Sequence, residues 1–144
     1  MSEALAGIEK LKSLVGVGWE PREYPIEREM VRRFIRAVGD ANPKWRDGMI
    51  APPTFVLAIG FEQFVDDLLA MVSFKSVLMA GTELECYQPI KTGDVITAVF
   101  EVSGLREREG EMGRMAFLTF ESTCQNQKQE LVARCRQMVI GYGR

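Results

Sequence analysis

The chain has 144 residues, 47% hydrophobic and 26% charged, with a formal net charge of −2. That length and balance suit one globular domain over residues 1–144 with a core of its own, and they argue against a disordered chain. No basic stripe interleaved with aromatics is present, which argues against a nucleic-acid partner.

No run of about 18 apolar residues occurs, so no membrane span is expected. No basic stretch followed by an apolar one marks a secretion signal. The three cysteines, Cys86, Cys124 and Cys135, form no C-x-x-C pair and stand in strand-like runs. Free thiols behaving as small hydrophobes suit a reducing, cytoplasmic setting. The chain contains no histidine; with scattered cysteines, neither a metal site nor a cofactor is expected.

Taken in order, Ser2–Leu14 carries Leu5, Ile8, Leu11 and Leu14 at helical spacing, and Gly16 and Gly18 end the helix. Trp19–Ile26 holds Pro21 and Pro25, which confine an extended segment to a sheet edge or end. Glu27–Val38 is the clearest helix. Val31, Phe34, Ile35 and Val38 make one apolar stripe, and Glu29 is spaced to pair with Arg33. Gly39 supplies the left-handed cap at its end.

The helix hands over to Gly39-Asp40-Ala41-Asn42-Pro43-Lys44-Trp45-Arg46-Asp47. From the residues alone, Asp40, Asn42 and Asp47 are turn formers whose short side chains bond to nearby backbone N–H groups. Pro52-Pro53-Thr54 opens a second helical region, with Thr54 as its N-cap. Phe55–Phe61 is apolar all round, and Phe64, Val65, Leu68, Leu69 and Val72 continue at helical spacing. A long helix is expected here, with Phe55, Leu57, Ile59, Phe64 and Leu68 buried. Gly60 marks either a kink or a close approach to a sheet.

From Thr82 the period changes to two. Thr82–Gln88, Val95–Ser103, Met115–Cys124 and Leu131–Ile140 read as a meander of strands. Ile96, Ala98, Phe100 and Val102 share one face, as do Ala116, Leu118, Phe120 and Cys124. Glu107–Gly113 reads as a hairpin loop flanked by Arg106, Arg108 and Arg114. Helices ahead of strands give an α+β class.

Three stretches resemble the MaoC-like, (R)-specific enoyl-thioester hydratase/dehydratase family. Gly39, Asp40, Asn42, Pro43 and Asp47 match its G-D-x-N-P-x-H-x-D signature. Gln88-Pro89-Ile90-Lys91-Thr92-Gly93-Asp94 is similar to its R-P-x-x-x-G-D turn. Ala51-Pro52-Pro53-Thr54-Phe55 is similar to the P-P-T-F of its amino-terminal-half, non-catalytic hotdog subgroup. The resemblance covers roughly residues 13 to 142 and implies a hotdog fold, an antiparallel sheet wrapped around a long central helix.

The resemblance also implies a chemistry. In the family, the Asp and His of D-x-N-P-x-H hold a water between them and act as base and acid on a trans-2-enoyl thioester. Asp40 stands at the aspartate position, Asn42 in the same loop, and Trp45 at the histidine position. Indole donates a hydrogen bond but does not titrate, and losing a positioned acid/base costs ~10²–10⁴ in rate. Pro53, Thr54 and Phe55 stand where the family binds substrate. If Pro53 aligns with the family glycine, the backbone N–H that stabilises the thioester oxyanion is missing too.

Three roles follow from the resemblance. The first is a non-catalytic hotdog that shapes the acyl pocket for a catalytic, histidine-bearing partner. The second is an active homodimeric hydratase using Asp40, alone or with Glu83 or Glu85. The third is an acyl-thioester binding module or thioesterase with Asp40 as base for water. The ligand is an acyl-CoA or acyl-ACP thioester, held at the seam of a homodimer or heterodimer whose sheets join at their edges. Arg106, Arg108 and Arg114 are candidates for contact with a CoA phosphate.

Overall fold

The structure, a computed structural model, describes residues 3–142 apart from 73, 75 and 112, and the side chains from Gly7 onward. Ser2 and the side chain of Leu5 lie outside the described residues. The elements are α1 (Glu3–Ser13), β1 (Arg22–Pro25), α2 (Arg28–Val38), a 3-10 turn (Pro43–Trp45), a second 3-10 segment (Pro53–Ala58), α3 (Phe61–Met71), β2 (Ser76–Cys86), β3 (Val95–Gly110), β4 (Gly113–Gln125) and β5 (Leu131–Tyr142).

The five strands form one antiparallel sheet in the order β1-β3-β4-β5-β2. The proline-bearing β1 lies at one edge, as its composition requires. The expected meander holds for β3, β4 and β5 only. β2 pairs with β5 rather than with β3, which follows it in the chain. The segment between β2 and β3 crosses the sheet end, and the Asp94 carboxylate fixes its turn by accepting the Lys91 N–H at 2.9 Å.

Strict alternation turns one face of the sheet into the core. Ile96, Ala98, Phe100 and Val102 of β3 are buried, as are Ala116, Leu118, Phe120 and Cys124 of β4. α3 lies against that face. Phe64 stacks on Phe100 with centroids 4.6 Å apart and meets Phe120 at 5.0 Å. Two surface ion pairs tie helices to strands, Lys12–Glu107 at 3.0 Å and Arg22–Asp67 at 2.9 Å.

The central helix is shorter than its apolar pattern predicts. Gly60, at φ 74°, separates α3 from the preceding 3-10 segment. A Cβ there would meet the Tyr24 hydroxyl at 2.6 Å and Phe100 at 3.1 Å. Gly60 is therefore both the break and the close approach to the sheet. Thr54 caps neither helical piece, because Pro52 and Gly60 hold those positions. Phe55, Ile59, Phe64 and Leu68 are buried, whereas Leu57 is only half-buried. In α2, Val31 and Ile35 face the core, while Val38 at the last turn is exposed.

Candidate functional site

The signature loop begins where α2 ends. Gly39 adopts φ 70°, and its N–H bonds to the Arg36 carbonyl. Asp40 then sits half-buried at the start of the loop. Its carboxylate accepts the N–H of Asn42 at 2.9 Å. The Asn42 side-chain oxygen accepts the N–H of Lys44 at 3.0 Å and so caps the 3-10 turn ending at Trp45. The Asp47 carboxylate accepts the Met49 N–H at 3.0 Å. Each short polar side chain supports the loop's own backbone, the arrangement turn chemistry favours.

Trp45 is half-buried and packs against the core. Its indole N–H has no acceptor among the described residues. The ring lines a cleft of about 230 Å³, with Ala51, Pro52 and Pro53 on one wall and Cys86, Tyr87 and Pro89 on the other. The two walls are stitched together. Ala51 donates its N–H to the Ile90 carbonyl at 2.9 Å, and the Thr92 hydroxyl donates to the Gly48 carbonyl at 2.6 Å. The cleft is thus framed by the three stretches that carry the family resemblance.

The predicted site residues separate here. Trp45 and Pro53 line the cleft. Asp40 and Asn42 stand in the loop behind Trp45 in sequence and are not among the lining residues. Thr54 is exposed and is also absent from the lining. Phe55 is wholly buried, its ring edge-on to Phe34 at 5.4 Å and its N–H bonded to the Pro52 carbonyl.

Glu83 and Glu85 lie on the outward face of the sheet, in a groove with Glu101, Glu121, Arg134 and Arg136. The structure does not bring them to Asp40. The hairpin arginines lie on strands rather than in a loop. Arg106 covers the ring of Phe117 at 5.4 Å, and Arg114 contacts Glu107 at 3.1 Å. Register places Arg106 level with Leu78, eight residues along β2 from the cleft residue Cys86. At about 3.3 Å per residue that is roughly 26 Å.

Two cleft residues escaped the sequence reading. Tyr87 donates its hydroxyl to Glu85, and that carboxylate, with some burial, raises the phenol's pKa. Partial burial likewise raises the thiol of Cys86. Cys86 ends β2 and Tyr87 follows it, so the signal available in the sequence was the alternation of Glu83, Leu84, Glu85 and Cys86 running on to the cleft.

The family model described as FAS1-like, dehydratase domain region matches residues 13–135. The chain belongs to this family. A UPF0336 protein of Streptomyces coelicolor is 31% identical over 113 residues, 69% of this chain and 75% of its own length. A probable enoyl-CoA hydratase alpha subunit of Thermomonospora curvata is 24% identical over 151 residues, 85% of this chain and 47% of that protein.

Among solved structures, a chain of the C-terminally truncated HadBC (3R-hydroxyacyl-ACP dehydratase) complex of Mycobacterium tuberculosis superposes with a TM-score of 0.73. It is 22% identical, and the match covers 89% of this chain and 97% of that one. The fold is the hotdog, and the matched family model is of a dehydratase region, in keeping with the dehydratase family that the loop motifs resemble. Among the described residues no helix is long and apolar enough to cross a membrane.

Proposed function

We propose that this chain is the non-catalytic half of a two-hotdog enoyl-thioester hydratase or 3-hydroxyacyl-thioester dehydratase. The observation that carries this reading is Trp45, at the position of the histidine in the motif the loop resembles, lining a cleft framed by the three stretches that resemble the family. Adding water across a trans-2-enoyl thioester requires a proton placed at the α-carbon and a water deprotonated at the β-carbon. An indole N–H can donate a hydrogen bond but can neither take nor return that proton.

The rest of the loop supports the same reading. The Asp40 carboxylate holds the Asn42 N–H, so it serves as a strut of the turn. Pro53, on the cleft wall, has no N–H to offer an oxyanion. What remains is an apolar cleft suited to the acyl part of a CoA or carrier-protein thioester. The partner hotdog supplies the aspartate and histidine.

The test is hydration of crotonyl-CoA by the purified chain alone and by the chain co-expressed with a hotdog bearing intact D-x-N-P-x-H. The reading expects background turnover from the first. From the second it expects turnover above that of the partner by itself. Turnover by the chain alone, lost in Asp40→Asn, would favour the active-homodimer reading instead.

A further inference from the structure

We infer that the β2 edge selects a non-identical chain rather than a second copy of itself, and that the partner's edge strand carries lysine or arginine opposite Glu83 and Glu85. This rests on the reading of the chain as one half of a two-hotdog pair.

β2 is an open edge. Most of its residues are exposed, including Leu78 at 53% and Met79 at 49%. Unpaired N–H and C=O groups along such an edge are a template for another strand. The side chains decide which strand fits.

Alternation along β5 shows which way β2 points. Cys135, Gln137 and Val139 are buried, while Arg134, Arg136 and Met138 are exposed. Leu78 pairs with Ile140, Glu83 with Arg136 and Glu85 with Arg134, the register shifting between Met79 and Gly81. Leu78, Glu83 and Glu85 therefore share the outward face, at opposite ends of one strand.

A twofold axis relating two copies makes their β2 strands antiparallel and the contact self-complementary. With the axis between Ala80 and Gly81, outward residues meet outward residues, and Leu78 of each copy faces Glu83 of the other. With the axis between Gly81 and Thr82, Leu78 faces Glu85. No register offers a cation to either carboxylate, because β2 contains no lysine or arginine.

The neighbouring strand does not fully cover the deficit. Arg136 reaches Glu83 at 3.7 Å but holds Glu121 at 2.8 Å. In the first register Glu85 then faces Ser76, and in the second Glu83 faces Ala80, so a self-paired seam leaves both carboxylates of each copy opposite neutral side chains. Opposite charges placed directly across a ladder are favourable, and mismatches are how an edge rejects the wrong strand. The strand that fits has an apolar side chain opposite Leu78 and basic ones opposite Glu83 and Glu85.

Sedimentation of the chain alone at micromolar concentration tests this, comparing wild type with the double variant Glu83→Leu/Glu85→Leu. The substituted positions are exposed, so the fold is retained. Wild type is expected as a monomer. The double variant, which puts a leucine opposite Leu78 of the other copy in either register, is expected as a dimer. A wild-type dimer that Leu78→Glu dissociates would overturn the inference, as would a double variant that stays monomeric. Crotonyl-CoA turnover reports separately on the acyl-pocket role. A homodimer joined at β2 that still raises a catalytic hotdog's turnover would defeat the inference alone. A monomer that never raises it would defeat the role alone.

Discussion

The carboxylate of Asp40 accepts the backbone N–H of Asn42 at 2.9 Å, two residues further along the same loop. Asp40 thereby supports the loop's own backbone. Asp40→Ala should cost the loop this bond, about 0.5–1.5 kcal/mol by urea unfolding. The chain's own turnover should stay at background.

The core prediction concerns the 3-10 segment. Ile59 is 1% exposed. Ile59→Ala should destabilise by ~2–5 kcal/mol. Leu57→Ala, at a half-buried position, should cost clearly less. Equal losses in chemical denaturation would mean that the two side chains are buried alike.

Gly60 offers a sharper test of the break ahead of α3. A methyl group there faces both the left-handed φ of 74° and the Tyr24 hydroxyl at 2.6 Å. Gly60→Ala should destabilise by more than about 1 kcal/mol. Adding Tyr24→Phe should recover part of the loss, read as a rise in Tm.

Much of this fold is legible in the sequence, and the misses have physical causes. Period-two burial in β3 and β4 is written in Ile96–Val102 and Ala116–Cys124, because one face is wet and the other packed. The partner of β2 is not written there, since alternation fixes a face and says nothing of which strand lies alongside. The hairpin strands run on to Gly110 and from Gly113, because charged residues pair across a ladder as well as apolar ones do. The signature loop was legible as a turn from Asp40, Asn42 and Asp47. That Trp45 and Pro53 line the cleft while Asp40 does not depends on side-chain direction, which residue spacing in a loop does not encode.

Acid should weaken the fold through two carboxylates. The hydrogen bond from Arg36 lowers the pKa of Glu29, and hydrogen bonds from Gln88 and Asn126 lower that of Glu130. A depressed carboxyl stabilises the fold above its unfolded value. That contribution is lost as pH falls below the ordinary glutamate value of 4.5 through the folded values. Thermal melts from neutral pH downward should show Tm falling in that window. Glu130→Gln should flatten the fall, and because Glu29 is exposed and Glu130 only partly covered, added salt should shrink the difference.

The central claim is that this hotdog supplies half a pocket and none of the proton chemistry. The most direct measurement is hydration of crotonyl-CoA by three samples: the chain alone, a D-x-N-P-x-H hotdog alone, and the two co-purified. The account predicts background rate from the first and the highest rate from the pair. It predicts that Asp40→Asn in this chain leaves the pair's rate within about threefold, since losing a true acid/base costs ~10²–10⁴. A pair whose rate collapses by that larger factor on Asp40→Asn, with the complex still intact by sedimentation, would contradict it.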